Sequence, residues 1–279
     1  MKTSMLKLIC CVFSIAFLFS SCLGETNTEI EVVADYAYIT TLGSGVQVAA
    51  VSGQGNGPMY VTSPQIATLQ RGQCYTLGYK ISNTSSASGY YVAEDFGAKA
   101  VMLNQTMGHP TAPSEENDYL PTSFGVLFYD YGLLTTTYQS FFGDRWIFGA
   151  KASLRDKDDP SMEFYYDPNN QKEEVNGQMG EIGDNKIIID VRFKRTNSGD
   201  GAEASTNVMC VGDLSYIKYS FQTSGHFNDN GQKSTPIPIK FRYTRLDGSG
   251  ASAVGKTETI GNWSTDSASA MFVFNYVKE

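Results

Sequence analysis

Between residues 187 and 194 apolar and polar side chains alternate, with Ile187, Ile189, Val191 and Phe193 on one parity and Ile188, Asp190, Arg192 and Lys194 on the other. Successive side chains of an extended chain point to opposite faces, so the segment predicts a half-buried strand. The same pattern sets Ile237, Ile239, Phe241 and Tyr243 against Pro238, Lys240, Arg242 and Thr244, and Ile217, Tyr219 and Phe221 against Tyr216, Lys218 and Ser220. Further strand-like runs cover 124–129, 146–154, 162–166 and 271–277, parted by turn-rich stretches at 197–201 and 229–231. Seven or so short strands close most economically as an antiparallel β-sandwich over 123–279. Clean alternation excludes a parallel βαβ sheet, whose doubly buried strands read as continuous apolar runs.

The preceding stretch holds five more strand-like runs, at 30–41, 46–51, 59–62, 73–81 and 90–101. Between the third and fourth, Ser63 suits an N-cap, Pro64 the first helical position and Gly72 the terminating one, which predicts one short helix. Five strands with a helix in that place is the plan of an OB-fold, a partly open Greek-key barrel. Residues 102–122 carry Pro110, Pro113 and Pro121, the acidic pair Glu115-Glu116 and no period, so they read as a connector. The expected architecture is all-β, with a small OB-like barrel over 30–101 followed by the sandwich.

The first two dozen residues are different. Lys2 and Lys7 precede an uncharged apolar run over 8–19. A membrane-crossing helix needs about 20 apolar residues, whereas this run has the length of a signal-peptide core, so 1–21 read as an export signal. Phe19-Ser20-Ser21-Cys22 resembles the lipobox of bacterial lipoproteins. That resemblance implies cleavage before Cys22, a diacylglycerol on its thiol and acylation of the new amino terminus, with palmitate-type chains that anchor the protein stably in a membrane. Residues 22–29, polar and aperiodic beyond the cysteine, then serve as a tether.

The order of lipobox, short tether, a barrel carrying 60–64 (YVTSP) and 77–81 (LGYKI), and a sandwich carrying 189–193 (IDVRF) is similar to that of the NigD-like lipoproteins of Bacteroidetes. The resemblance implies an N-terminal OB domain and a C-terminal β-sandwich. The molecular role of that family is largely undefined, so the likeness bears on architecture rather than activity. Some lipoproteins of the phylum reach the cell surface with an acidic stretch after the lipidated cysteine. Leu23-Gly24-Glu25-Thr26 departs from that pattern, and both faces of the outer membrane stay open.

Composition narrows the partners. Hydrophobic residues at 41% against 18% charged exclude a disordered chain. The net charge of −8 becomes −10 once 1–21, with two lysines and no acid, is removed. Such a balance opposes attraction to phosphate backbones, so no nucleic-acid partner is expected. Beyond Cys22 the mature chain keeps Cys74 and Cys210. An oxidising compartment permits a bridge, but no spacing pattern supports one, and free buried thiols are the favoured reading.

Candidate chemistry is sparse. His109 and His226 stand apart in loops without a cysteine partner, which fails the pattern of a zinc site. Asp156-Lys157-Asp158-Asp159 lacks the glycine and bidentate glutamate of an EF-hand, and a solvated turn before Pro160 is the favoured reading. The glycines of 53–57 lack the spacing and following Lys-Ser or Lys-Thr of a phosphate loop. No nucleophile elbow occurs, and the adjacent acids at 94–95, 115–116 and 173–174 are uninformative as pairs, because strand neighbours face opposite ways. No catalytic residue, metal or cofactor is expected. Trp146 falls on a core parity, whereas Trp263, with Tyr131 and Tyr138 beside Tyr129, is a candidate ligand-contact aromatic. Asp266-Ser267-Ala268 also resembles the O-glycosylation tripeptide of that phylum. The expected protein is a noncatalytic binding or assembly lipoprotein of the bacterial outer membrane, with a glycan or an envelope protein as partner. Its rivals are an extracytoplasmic glycan-degrading enzyme and an adhesive or structural subunit.

Overall fold

The computed structural model describes residues 29–52, 58–82, 89–95, 100–129, 142–248, 253–263 and 272–277. Cys22, Tyr131 and Tyr138, the glycines of 53–57 and the tripeptide at 266–268 lie outside the described residues.

The first sheet comprises β1 (Glu29–Thr41), β2 (Gln47–Ser52), β3 (Pro58–Thr62), β4 (Cys74–Ser82), β5 (Tyr91–Asp95) and the two-residue β6 (Val101–Met102). Its order is β1-β2-β3-β5-β4, and pairing of β1 with β4 closes the barrel. β5 runs parallel to β3 and antiparallel to β4, as a Greek-key closure requires. One parity of β1 and β4 fills the interior with Ala37, Ile39, Tyr75, Leu77, Tyr79 and Ile81. A register shift between Val32 and Asp35 brings Asp35 onto that same interior parity. The helix expected over 63–72 is only a 3-10 turn, Ile66–Thr68. The Ser63 hydroxyl does accept the Ile66 N–H at 3.1 Å, but Leu69 is already extended, so the cap starts a turn too short to propagate.

The sandwich has two sheets. One contains β7 (Asn104–Met107), β8 (Ser123–Phe128), β9 (Arg145–Asp156) and β14 (Asp200–Asp213), in the order β7-β14-β9-β8. The other contains β10 (Pro160–Tyr165), β13 (Ile187–Arg195), β15 (Ser234–Asp247), β16 (Val254–Ile260) and β17 (Phe272–Val277). Its order is β10-β13-β15-β16, with β17 also on β15. A small hairpin of β11 (Lys172–Val175) and β12 (Gln178–Glu181) lies apart from both. Most pairings are antiparallel as expected, but β13 runs parallel to β15 and β7 parallel to β14. Each parallel pair is joined by a long excursion, through β14 in the other sheet or through the whole β8–β13 region, which returns the chain to the same end.

Both apolar parities read at 187–193 and 237–243 enter one core with Trp146, Phe148 and Phe164, but β13 is not the half-buried strand expected, because Ile188 and Asp190 on its other face are buried as well. The segment at 216–221 is a correction: it is helix α1 (Ser215–Gln222), not a strand. Ile217 and Phe221 are buried, whereas Tyr219, on the same strand parity, is 67% exposed. Four is an even number, so an i, i+4 pair satisfies the strand period and the helical one alike. The Tyr276 hydroxyl donating to the Lys218 carbonyl at 2.6 Å ties the helix to β17.

Barrel and sandwich meet through a third apolar cluster. Cys74 of β4 and Leu103 pack with Phe142, Ile147 of β9 and Val211 of β14, flanked by Tyr36, Tyr38 and Phe128.

Candidate functional site

The outer face of the β7-β14-β9-β8 sheet changes character along its strands. In the cross-strand row nearest the barrel, Ile147 and Val211 are fully buried. The next row sets Gly125 of β8 opposite Gly149 of β9, and Gly149 opposite Met209 of β14. The row beyond carries Ser123, Lys151 and Asn207. The glycine row leaves a trough of about 480 Å³, lined by its own residues, by Ser123, Lys151 and Asn207 of the row beyond, and by Leu127. That volume falls within the range of small-molecule sites.

The walls are apolar and open to solvent, with Leu127 50% and Met209 41% exposed. A register shift between Val126 and Phe128 makes Leu127 the extra residue of β8. Its side chain crosses Gly149, where an added Cβ would lie 2.8 Å from a Leu127 methyl. At Gly125 an added Cβ would meet nothing within 4 Å. Lys151 forms no ion pair among the described residues. Neither glycine nor Leu127 was legible as a site residue in the sequence, because their juxtaposition is a matter of register between two strands.

Trp263 sits in a second cluster. Its indole N–H donates to Glu173 at 2.6 Å, and the ammonium groups of Lys240 and Lys186 lie 4.6 and 5.6 Å from the ring centre. Lys240 also pairs with Glu173. Burial alone would favour a protonated Glu173, but the hydrogen bonds from Lys240 and Trp263 prevail and hold its carboxyl below the usual range. The indole therefore helps pin the β11–β12 hairpin to β15, and a ligand stacking on it would displace a lysine. Beneath, Arg242 grips Asp190 through two hydrogen bonds of 2.7 and 2.8 Å and donates to the Lys172 carbonyl at 3.1 Å. Gln171 completes the clamp by accepting from the Ile188 N–H and donating to the Ile188 carbonyl.

The acidic turn before Pro160 proves more structural than its composition suggests. The Asp158 side chain is fully buried and accepts from the Gly199 N–H at 2.6 Å, the Arg155 N–H at 2.9 Å and Arg195 at 3.3 Å. A carboxylate satisfied by three protein donors is a turn clamp rather than the solvated group expected. No cluster of three or more metal-ligating residues occurs among the described residues. His109 is exposed and stacks on Tyr165 with ring centres 4.9 Å apart, and His226 lies 3.3 Å from Asp184 on the surface. Cys74 and Cys210 are free and buried in separate clusters. Burial pushes the Cys74 thiol up to about 12, which leaves it inert near neutral pH.

No family model matches the chain, and no curated protein does. Solved structures share the fold. An uncharacterized protein from Parabacteroides merdae is 16% identical, with 82% of this chain and 96% of that chain covered at a TM-score of 0.54. A candidate lipoprotein from Bacteroides fragilis is 9% identical, with 83% and 97% covered at 0.53. The structural neighbours also include a NigD-like immunity protein from Bacteroides caccae, 9% identical, with 90% and 99% covered at 0.47.

Proposed function

We propose that the chain is an exported, lipid-anchored, noncatalytic binding or assembly lipoprotein of the bacterial outer membrane. The observation that carries this is the placement of Cys22 at the end of a signal-like segment, seven residues before β1 opens at Glu29. Seven extended residues span about 25 Å at most, so the β1 end of the barrel is held close to the bilayer. The likeness of fold to a candidate lipoprotein supports the reading.

Binding rather than turnover is favoured by where the acidic side chains are spent. Glu173, Asp158 and Asp190 are engaged by Lys240 and Trp263, by Gly199 and Arg155, and by Arg242 respectively, in roles that hold elements together. The trough on the outer sheet face offers an accessible surface, and Trp263, Tyr131 and Tyr138 remain candidate contacts. The test is Cys22→Ala in the native host. The variant is expected to move from the membrane to the soluble fraction and to lose metabolic labelling by palmitate. Retention of both by the variant would overturn the anchor.

A further inference from the structure

We infer that the Gly125–Gly149 trough binds a monoanionic amphiphile, with its apolar body against Leu127 and Met209 and its anionic head at Lys151. The inference rests on the binding reading above and names the ligand class of that surface.

The order of rows on the sheet carries it. At the barrel end, the row of Ile147 and Val211 is buried. At the other end stand Lys151, Asn207 and Ser123. The lining thus runs from apolar, at Leu127 and Met209, to cationic, at Lys151. A short molecule with one apolar end and one charged end matches that order. The head must be anionic, because Lys151 is the only charged residue lining the trough and makes no ion pair among the described residues, in a chain of net charge −8. Asn207 and Ser123 beside it add hydrogen-bond donors that suit a carboxylate or sulfonate. The floor supports the assignment: a side chain at position 125, where an added Cβ would meet nothing within 4 Å, would enter the space the apolar body occupies.

The experiment uses residues 22–279 bearing Cys22→Ala, so that detergent is not needed. Isothermal titration is performed with dodecanoate and with dodecyltrimethylammonium, both below their critical micelle concentrations. Dodecanoate is expected to bind one site per chain, at least tenfold tighter than the cation of equal tail length. Lys151→Glu should weaken dodecanoate by about tenfold or more and should not weaken the cation. Gly125→Leu, at a position open enough to accept a side chain, should abolish both. Should that variant fail to fold, Met209→Gln, which makes an exposed wall residue polar without adding charge, replaces it and should weaken both amphiphiles. Equal binding of the two amphiphiles, or dodecanoate affinity unchanged by Lys151→Glu and by trough filling, would overturn the inference. Membrane fractionation of the unmodified protein is scored separately. Anchoring without dodecanoate binding sinks the ligand alone, and binding without anchoring sinks the location alone.

Discussion

The guanidinium of Arg145 in the sandwich lies 4.9 Å from the ring centre of Tyr38 in the barrel, while reaching the buried Asp213 at 3.2 Å. Beside it, Phe142 packs on Tyr38 with ring centres 6.3 Å apart, and Phe128 lies 5.8 Å from Tyr36. A charged group held over an aromatic ring at the edge of a buried apolar cluster stiffens a junction that a bare linker would leave loose. The two units are therefore expected to unfold as one. Phe142→Ala, at a fully buried position, should cost about 3–5 kcal/mol and split a single calorimetric transition into two. One transition at unchanged temperature would show that the junction contributes nothing.

A boundary between the units within 102–122 can be probed on the same protein. Strand β7 and the hydrogen bonds of Gly108 and His109 protect the start of that segment, whereas most of 111–116 is exposed. Limited digestion with a glutamate-specific protease should cut first at Glu115 or Glu116, and a first cut elsewhere would remove the case for a boundary there.

The Arg242–Asp190 pair is doubly hydrogen-bonded, with Asp190 buried and Arg242 half-buried. Removing one partner leaves an uncompensated charge. Arg242→Met should destabilise by about 3–5 kcal/mol in urea unfolding, and Asp190→Leu in the same chain should restore much of the loss. Equal loss in the single and double variants would locate the cost in packing instead.

Asp35 faces the barrel interior, where its carboxylate accepts from the Tyr79 hydroxyl at 3.1 Å. Burial raises its pKa above the ordinary 3.8, and the hydrogen bonds from Tyr79 and the Tyr36 N–H only partly offset this. Below the unfolded-chain value the group is neutral in both states and costs nothing. As pH climbs through the folded value, charging it in the barrel drains stability. Asp35→Asn should therefore raise the melting temperature near neutral pH, with the gain fading in acid. A gain that grows in acid would reverse the assignment.

Asp158 behaves with the opposite sign. The Gly199 N–H, the Arg155 N–H and Arg195 hold its carboxyl below the usual range, so its contribution is present above the unfolded value and is lost as pH falls through the folded one. Asp158→Asn should destabilise at neutral pH and flatten the acid limb of the stability curve. Gly199→Ala should be more damaging than either, since its Cβ would lie 1.8 Å from the Asp156 carbonyl oxygen. Soluble expression of that variant with a native melting point would contradict the geometry.

The strands at 187–195 and 234–247 were readable because burial of one face writes itself into every second residue, and that signal survives without knowledge of any neighbour. The OB order of the barrel followed from strand count and the turn near Ser63, although the helix shrank to three residues. The same logic failed at 215–222, where a spacing of four fits two periods and only packing against β17 decides between them. β14 went unread because its first eight residues are exposed and carry no alternation.

Of the candidate functional residues, local chemistry alone pointed to Cys22, since a resemblance to a lipobox is read from a linear sequence. Trp263 stood out by type, but its partners Glu173, Lys240 and Lys186 lie 23 to 90 residues away in the chain. The trough was invisible: Gly125 and Gly149 acquire meaning only when β8 and β9 pair in a register that sets them face to face, with a bulge that turns Leu127 across them. Periodicity reports which face a residue takes. It carries no information about which residue stands opposite, because register is chosen by the whole core closing at once.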